Sequence, residues 1–317
     1  FVTFVIDKSK GLGGQTRKLY KTWKDESIAD YMDSLMDSVT EETHLLYWLN
    51  ADIISVEGSV GNFKTVIMSN GQKRVLNHGV TIIASGASQY TPKEYLYGEN
   101  DRVMTSLELE ESFCKDQWFT SDKTIVFLQC VGSRIKERPY CSKICCTQSI
   151  KNAVLLKQNY PDKEIYIVYR DIRAYGTREQ LYRKARNLGI HFIRYHSELP
   201  FTVKEKDKTL HCEFTDTVLR QQMTIRTDRL VLGAAVVSQP NNPLSAFYKV
   251  AQNPDHFFSE AHVKLRPNDF ATDGMFLCGM AHGPKTVGES IAQAQAAAAR
   301  AVTVLSKKEV ALEGTFA

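Results

Sequence analysis

The sequence predicts an α/β fold in two domains, one inserted into the other. Three observations predict it. First, 317 residues are enough to bury two cores. Second, the stretch 118–237 alternates between strand and helix patterns: a buried run (TIVFLQC), a helical segment through Ile150, Val154 and Leu155, then a second apolar run (EIYIVY). That order is a βαβ unit. Third, Leu230 to Val237 reads as a strand leading the chain back, and the sequence closes with a strand, a glycine turn and a long alanine-rich helix. The predicted division is 1–117 and 238–317 for the first domain, with 118–237 inserted.

Composition is that of an ordinary globular chain, 43% hydrophobic and 24% charged. A net charge of +4 is too mild to imply a nucleic-acid partner. No apolar run reaches the length of a membrane span, and no signal peptide is visible. The chain begins at Phe1 in mid-pattern, so an N-terminal targeting segment stays open.

In the first segment, FVTFVIDK alternates into a strand ending at Asp7, and KGLGGQTRK follows with Gly11, Gly13 and Gly14. In a dinucleotide-binding unit, an acid at the end of the second strand bonds the ribose hydroxyls. Glycines after it let backbone pass close to a cofactor. That reading needs a preceding strand and a G-x-G-x-x-G loop, and the sequence contains neither. The local alternative is a capped turn. Asp25 to Val39 reads as a helix with Ile28, Tyr31, Met32, Leu35 and Met36 on one face. Leu45 to Trp48 and Asp52 to Val56 read as strands, and Phe63 to Ser69 with Lys73 to Leu76 as a hairpin around Asn70-Gly71. Val80 to Ala84 is an apolar strand closing on Ala84, Ser85 and Gly86, small enough for close approach of a cofactor or a crossing chain.

The inserted domain carries the most informative stretch. Cys130, Cys141, Cys145 and Cys146 follow a C-x10-C-x3-C-C spacing between a strand and a helix expected from Ser142. In a doubly wound domain this corner normally holds a glycine-rich pyrophosphate loop; here only Gly132 remains. Four thiolates in one loop suit an iron–sulfur cluster. A helix N-terminus with Arg134, Lys136, Arg138 and Lys143 nearby is expected to lower thiol pKa values. Disulfides are disfavoured by the adjacent Cys145 and Cys146. A structural zinc usually takes separated C-x2-C knuckles, and merely buried thiols are the plain alternative. After the strand Glu164 to Tyr169 come Arg170, Asp171 and Arg173, able to bind phosphate, although the missing glycine loop argues against a nicotinamide cofactor. Thr177 to Asn187 reads as a charged helix capped by Gly189, followed by a strand (190–195) and a polar meander (201–225). Cys114, Cys212 and Cys278 are single and read as ordinary cysteines. In the closing helix, Ala292, Ala296 and Ala299 are expected to pack against a sheet.

CVGSRIKERPYCSKICCTQSIKNAVLLK, followed by YRDIRAYGTREQLYRKARNLGIHFIRY, resembles the A-type subunits of heterodisulfide reductases over essentially the whole chain. The resemblance implies a thioredoxin-reductase-like flavoprotein whose FAD domain carries an inserted second domain. It implies a [4Fe–4S] cluster on Cys130, Cys141, Cys145 and Cys146. It raises the flavin reading of Asp7, Lys8, Gly13, Gly14 and Gln15, since the family places an acid followed by L-G-G here. By the same resemblance Ile54 (or Ile53) lies against the adenine, and Ala84, Ser85 and Gly86 match the A-T-G-A segment of FAD reductases. The family's strand–turn–helix flavin contact falls on Gly279 and on the backbone of Lys285, Thr286 and Val287, with Lys285 positioned to tune the flavin. The G-D pair of FAD reductases reads Gly279-Met280 here, so no carboxylate is available. A first βα unit and further ferredoxin-type cysteine motifs are missing relative to the family, as in a fragment.

The implied activity is electron transfer, with flavin-based bifurcation between a two-electron donor, ferredoxin and a disulfide acceptor on another subunit. In one branch of the family that disulfide joins two coenzymes of methanogenesis. The implied partners are disulfide-reducing subunits, a hydrogenase or formate dehydrogenase module and ferredoxin, around a homodimer, in a reducing cytoplasm. Two other readings are a quinone-linked oxidoreductase subunit of sulfur metabolism and a non-enzymatic scaffold in which zinc replaces the cluster.

Overall fold

The computed structural model describes residues 1–239 and 242–309. Residues 240–241 and 310–317, part of the last predicted segment, lie outside the described residues. The chain divides into two units. Phe1–Arg17, Asp30–Ser88 and Val237–Ala317 form the first, and Lys18–Ala29 with Gln89–Val236 form the second.

In the first unit two short parallel pairs stand separately, without hydrogen bonds joining them among the described residues. Thr3–Ile6 pairs with Leu45–Trp48, and Thr81–Ile83 pairs with Met275–Leu277. A three-stranded antiparallel sheet (Ala51–Glu57, Phe63–Ser69, Gln72–His78) completes the β structure. Its hairpin turns at Asn70-Gly71 with φ of 49° and 78°, the doubly left-handed backbone that an Asn-Gly pair supplies. Phe63, Ile83, Phe258, Phe270, Met275 and Leu277 form the core.

Two helices bury different faces from those expected. Ile28–Glu41 buries Ile28 and Met32 but leaves Tyr31 and Leu35 about 40% exposed. Val287–Leu305 buries Ala297 and Ala301, whereas Ala292, Ala296 and Ala299 face outward. An alanine-rich helix carries too little amphipathic contrast for its sequence to say which side docks. Its start is well specified: Thr286 and Glu289 form a reciprocal capping box.

His78 ties this unit's sheet together. Its Nε2 lies 2.8 Å from the Thr65 hydroxyl, its Nδ1 2.9 Å from the Val80 carbonyl, and its ring stacks on Phe63. Burial lowers its pKa, partly offset by the bond to Val80. The unfolded chain therefore takes up a proton near pH 6.5 that the folded chain resists. Stability is fully present above that pH and is lost as pH falls through the lowered folded value. Melting temperature is expected to drop between pH 7.5 and 5.5, and His78→Asn to flatten part of that slope. An unchanged slope in the variant would remove His78 as a cause.

The second unit is built on a five-stranded parallel sheet in the order His191–Arg194, Glu164–Tyr169, Thr124–Val131, Arg229–Ala234, Val103–Thr105. Thr124–Val131 is central and covered on both faces, which is why it reads as a continuous apolar run. Ile125 and Phe127 join one core with Ile150, Leu156 and Ile165; Val126 and Leu128 join the other with Leu210 and Phe214. The meander Thr202–Lys206, Thr209–Thr215, Gln222–Thr227 supplies that second cover. Residues 89–117, grouped by sequence with the first segment, fall in this unit. Val103–Thr105 forms the sheet edge, and the helix Ser106–Cys114 buries Leu109 and Phe113 in its core.

Candidate functional site

The four clustered cysteines come from three local structures. Cys130, one residue before the end of the central strand, is left-handed at φ 66°, and Gly132 just past the strand takes φ 71°. Such backbone is costly for a non-glycine residue and concentrates at functional sites. Gly132 has a further constraint: a Cβ there would meet the Tyr90 ring at 2.2 Å. That ring is in turn covered by the Arg138 guanidinium, 4.4 Å from its centroid. Cys141 lies in the following loop, where its sulfur accepts the Lys143 N–H at 3.2 Å. Lys143, at φ 62°, breaks the chain before the helix, which spans Cys145–Asn159 rather than starting at Ser142. Cys145 and Cys146 thus occupy its first turn, and its N-cap residue, Ile144, provides no side-chain cap.

The four thiols lie within electrostatic reach of one another. Cys130, Cys145 and Cys146 are each less than 10% exposed. Burial pushes the Cys130 thiol up to about 11, with Cys146 adding to the effect and Arg134 opposing it. Its hydrogen bond with Cys146, followed by burial, raises Cys145 well above the ordinary thiol value. The same bond from Cys145 holds Cys146 down at about 7, helped by Arg173 and Arg134. The bond from Cys145, with the arginines beside it, therefore favours a thiolate at Cys146, while burial raises Cys130 and the bond to Cys146, then burial, raises Cys145. Of the four basic residues singled out, Arg134 acts directly on the thiols, and its Nη2 is held 2.8 Å from Asp171.

The surroundings contain polar groups that the fold leaves unmatched. Gln129 next to Cys130, Ser133 just beyond it, and Thr147, Ser149 and Asn152 on the cysteine helix are all buried. Their side-chain polar atoms include Gln129 Oε1 and Nε2, Ser149 Oγ and Asn152 Nδ2, none with a hydrogen-bond partner in the protein. Buried polar groups of this kind normally have partners. Four thiols plus spare donors suit an iron–sulfur cluster, whose sulfurs accept hydrogen bonds. Among the described residues no three His, Cys, Asp or Glu side chains converge tightly enough to hold a single metal ion. Sequence reading missed these polar partners; scattered among apolar residues of a strand, a loop and a helix, they carry no spacing signal.

The candidate flavin residues all lie in the first unit. Asp7 follows Thr3–Ile6; its N–H donates to the Trp48 carbonyl and its carboxylate accepts the Ser9 N–H at 2.7 Å. Lys8 is exposed. Gly13 and Gly14 turn the chain with φ of 105° and 48°, and Gln15 carries a buried Oε1 without a partner. Ala84, Ser85 and Gly86 leave the same end of the second parallel pair as Gly279, because Thr81–Ile83 and Met275–Leu277 run in parallel. Gly86 takes φ 72° with open space where a Cβ would stand. Ser85 Oγ accepts from Asn242 at 3.3 Å. Ile54, 47% exposed, sits at an irregularity of the separate antiparallel sheet. The Thr286 N–H is taken by the Glu289 carboxylate at 2.8 Å, while Val287 opens the helix. Lys285 approaches the Nδ1 of His282 at 3.3 Å, and the same ring nitrogen lies 2.7 Å from Gln293 Nε2. His282 Nε2 contacts Glu260 at 2.7 Å, and burial, then Lys285, lowers the His282 pKa. The sequence signal for His282 was present, three residues before Lys285, but Glu260 and Gln293 are brought in by the fold. An orphaned Gln15 oxygen and open turns at small residues fit a bound dinucleotide.

The chain is 38% identical over 255 residues to an iron-sulfur A-type subunit of the CoB–CoM heterodisulfide reductase of Methanopyrus kandleri. It is 37% identical over 257 residues to the A-type subunit of the H2:CoB–CoM heterodisulfide,ferredoxin reductase of Methanothermobacter marburgensis. Over that segment the chain belongs to the family of heterodisulfide reductase A-type subunits. About three quarters of the chain is covered in each match, but it spans only 38% and 39% of those relatives' own lengths. No protein-family model matches. Among solved structures, the thioredoxin reductase of Lactococcus lactis matches with a TM-score of 0.63 at 14% identity, covering 96% of this chain and 91% of that one. The T. acidophilum thioredoxin reductase matches with 0.61 at 12%, covering 95% and 90%. This heterodisulfide reductase homologue therefore has the thioredoxin-reductase-like, two-dinucleotide-binding-domain fold. No helix among the described residues is long and apolar enough to cross a membrane.

Proposed function

We propose that the chain is the FAD- and [4Fe–4S]-bearing electron-transfer part of a heterodisulfide-reductase-like complex, an oxidoreductase acting on sulfur groups. The observation that carries this reading is the placement of Cys130, Cys141, Cys145 and Cys146 on one strand end, loop and first helical turn, the corner where a dinucleotide loop would otherwise stand. Relatives named as iron-sulfur and ferredoxin-reductase subunits support it.

When bound, the two cofactors would supply the redox chemistry: the flavin takes up electrons in pairs and gives them up singly, and the cluster carries one at a time. The chain's own residues hold and shape. Cys146 ionises more readily than the buried Cys130 and Cys145, and binding of a cluster would draw the protons from those two. Arg134, anchored by Asp171, offsets negative charge beside Cys130. Ser133, Thr147 and Ser149 offer hydrogen bonds to cluster sulfurs. In the first unit, Asp7 and Gln15 would hold the adenosine end, and Ile54 offers a further backbone contact. Ala84, Ser85, Gly86 and Gly279 let backbone approach, and Lys285, Thr286 and Val287 present the helix start to the flavin. His282, neutral and bonded to Glu260, sets the position of Lys285.

The disulfide site then belongs to another subunit. Ferredoxin, disulfide-reducing subunits and a hydrogenase or formate dehydrogenase module are the partners this reading requires, with bifurcation as the mode of electron splitting. Anaerobic visible and EPR spectra with iron and flavin assays test it. About four irons per chain together with FAD are expected. Flavin without iron would leave an ordinary flavoprotein, and zinc with neither would leave a scaffold; both would overturn the reading.

A further inference from the structure

Two neighbouring cavities open beyond the carboxyl ends of Glu164–Tyr169 and His191–Arg194 and share Asp171 and Arg194 as a common wall. One, of about 310 Å³, is lined by Tyr169, Ile172, Ala174, Tyr182 and Glu179. The other, of about 250 Å³, is lined by Arg134, Arg170, His196, Glu198 and Thr217. The cysteine corner shares only Arg134 and its partner Asp171 with these cavities. We propose that together they bind a nucleoside phosphomonoester, the base in the tyrosine lobe and the phosphate in the arginine lobe.

The arginine lobe is prearranged. Arg170 Nη1 donates to the Arg134 carbonyl at 2.8 Å, and Arg194 Nε donates to the Arg170 carbonyl at 3.0 Å. Backbone bonds thus hold three like charges side by side. Asp171 lies 2.8 Å from Arg134 and 3.5 Å from Arg194. Three guanidiniums face only two carboxylates, Asp171 and Glu198. Buried nitrogens, Nη1 of Arg134 and Nε of Arg170, have no hydrogen-bond partner in the protein. Planar guanidinium forks of this kind match phosphate oxygens. The other lobe is stiff and aromatic: Tyr182 packs edge-on against Phe192 at 4.7 Å, and Tyr169 against the same ring at 6.4 Å. Glu179 gives that lobe an acceptor for an exocyclic amino group.

A single nucleotide, rather than a dinucleotide, follows from the cysteine corner. A pyrophosphate needs an open glycine cradle after the first strand. Here the open side of Gly132 is filled by Tyr90, and Arg138 covers that ring.

Calorimetry on the anaerobically purified chain with its cofactors bound, using AMP, adenosine and inorganic phosphate as probes, tests the site. AMP is expected to bind at least about tenfold tighter than either adenosine or phosphate, since a charge-assisted bond contributes roughly that factor. Arg194→Gln, at a largely exposed side chain, should weaken AMP by about tenfold and leave adenosine unchanged. Tyr182→Leu should weaken AMP and adenosine but not phosphate. Equal binding of AMP and phosphate would mean an inorganic anion site and overturn the nucleoside assignment. No saturable AMP binding, or no effect of Arg194→Gln in a variant with unchanged melting, would overturn the site. NADPH binding far tighter than AMP would overturn the restriction to one nucleotide. None of these outcomes depends on the cluster being correctly assigned.

Discussion

Replacing Lys151 with methionine is expected to destabilise the second unit by about 3–5 kcal/mol, the usual cost of stranding one member of a buried ion pair. Lys151 reaches from the cysteine helix to Glu110, and its ammonium also donates to the Lys21 carbonyl at 2.8 Å. Glu110 is fully buried and accepts the Tyr20 N–H at 3.0 Å with its other oxygen. The pair therefore fastens the Lys18–Ala29 segment to the Ser106–Cys114 and Cys145–Asn159 helices. Burial lowers the Lys151 pKa, and the Glu110 charge partly restores it. Methionine fills the space but leaves the carboxylate charged, buried and short of a donor. A melting-temperature fall on the order of 10 °C is expected for a unit of this size. The double variant Lys151→Met/Glu110→Gln should recover much of the loss, because a neutral amide is far cheaper to bury. Equal melting of Lys151→Met and the parent chain would show that the pair contributes no net stability.

Cys145→Ser is expected to remove essentially all iron while leaving flavin in place. Cys145 is 3% exposed and bonded to Cys146. Serine keeps the side chain's shape but not its affinity for iron, so loss of metal would reflect ligation and not collapse of the core. Cys114→Ser is the control, since that thiol is exposed and away from the cysteine loop. Iron content, the broad visible absorption and the reduced EPR signal should all fall together in Cys145→Ser and be unchanged in Cys114→Ser. Retention of about four irons in Cys145→Ser would show that the adjacent cysteine pair does not ligate.

Part of each unit was legible in advance because its signals are local. A strand buried on both faces needs an uninterrupted apolar run, and Ile125 to Leu128 is one. Asn70-Gly71 specifies its turn through two left-handed residues. The cysteine spacing belongs to the same class: a strand end, a loop and a first helical turn, all within 17 residues of chain. Family likeness added the ligand set and the flavin contacts, which no local rule supplies.

Contacts distant in sequence were not legible. Which alanines of Val287–Leu305 dock depends on the neighbouring sheet, so Ala297 and Ala301 could not be told from Ala292 and Ala296. The ionisation of the thiols depends on burial and on one another: burial overrode the Arg134 charge at Cys130, and the bond between Cys145 and Cys146 raised one thiol and lowered the other. The Glu110–Lys151 pair, the Arg134–Asp171 pair and the two cavities sharing Arg194 each join residues separated by 20 or more positions. Backbone propensity and hydrophobic period act over one turn or one strand and so dictate the elements. Charge pairing and desolvation act through space, and they take effect only once the sheet has brought those elements together.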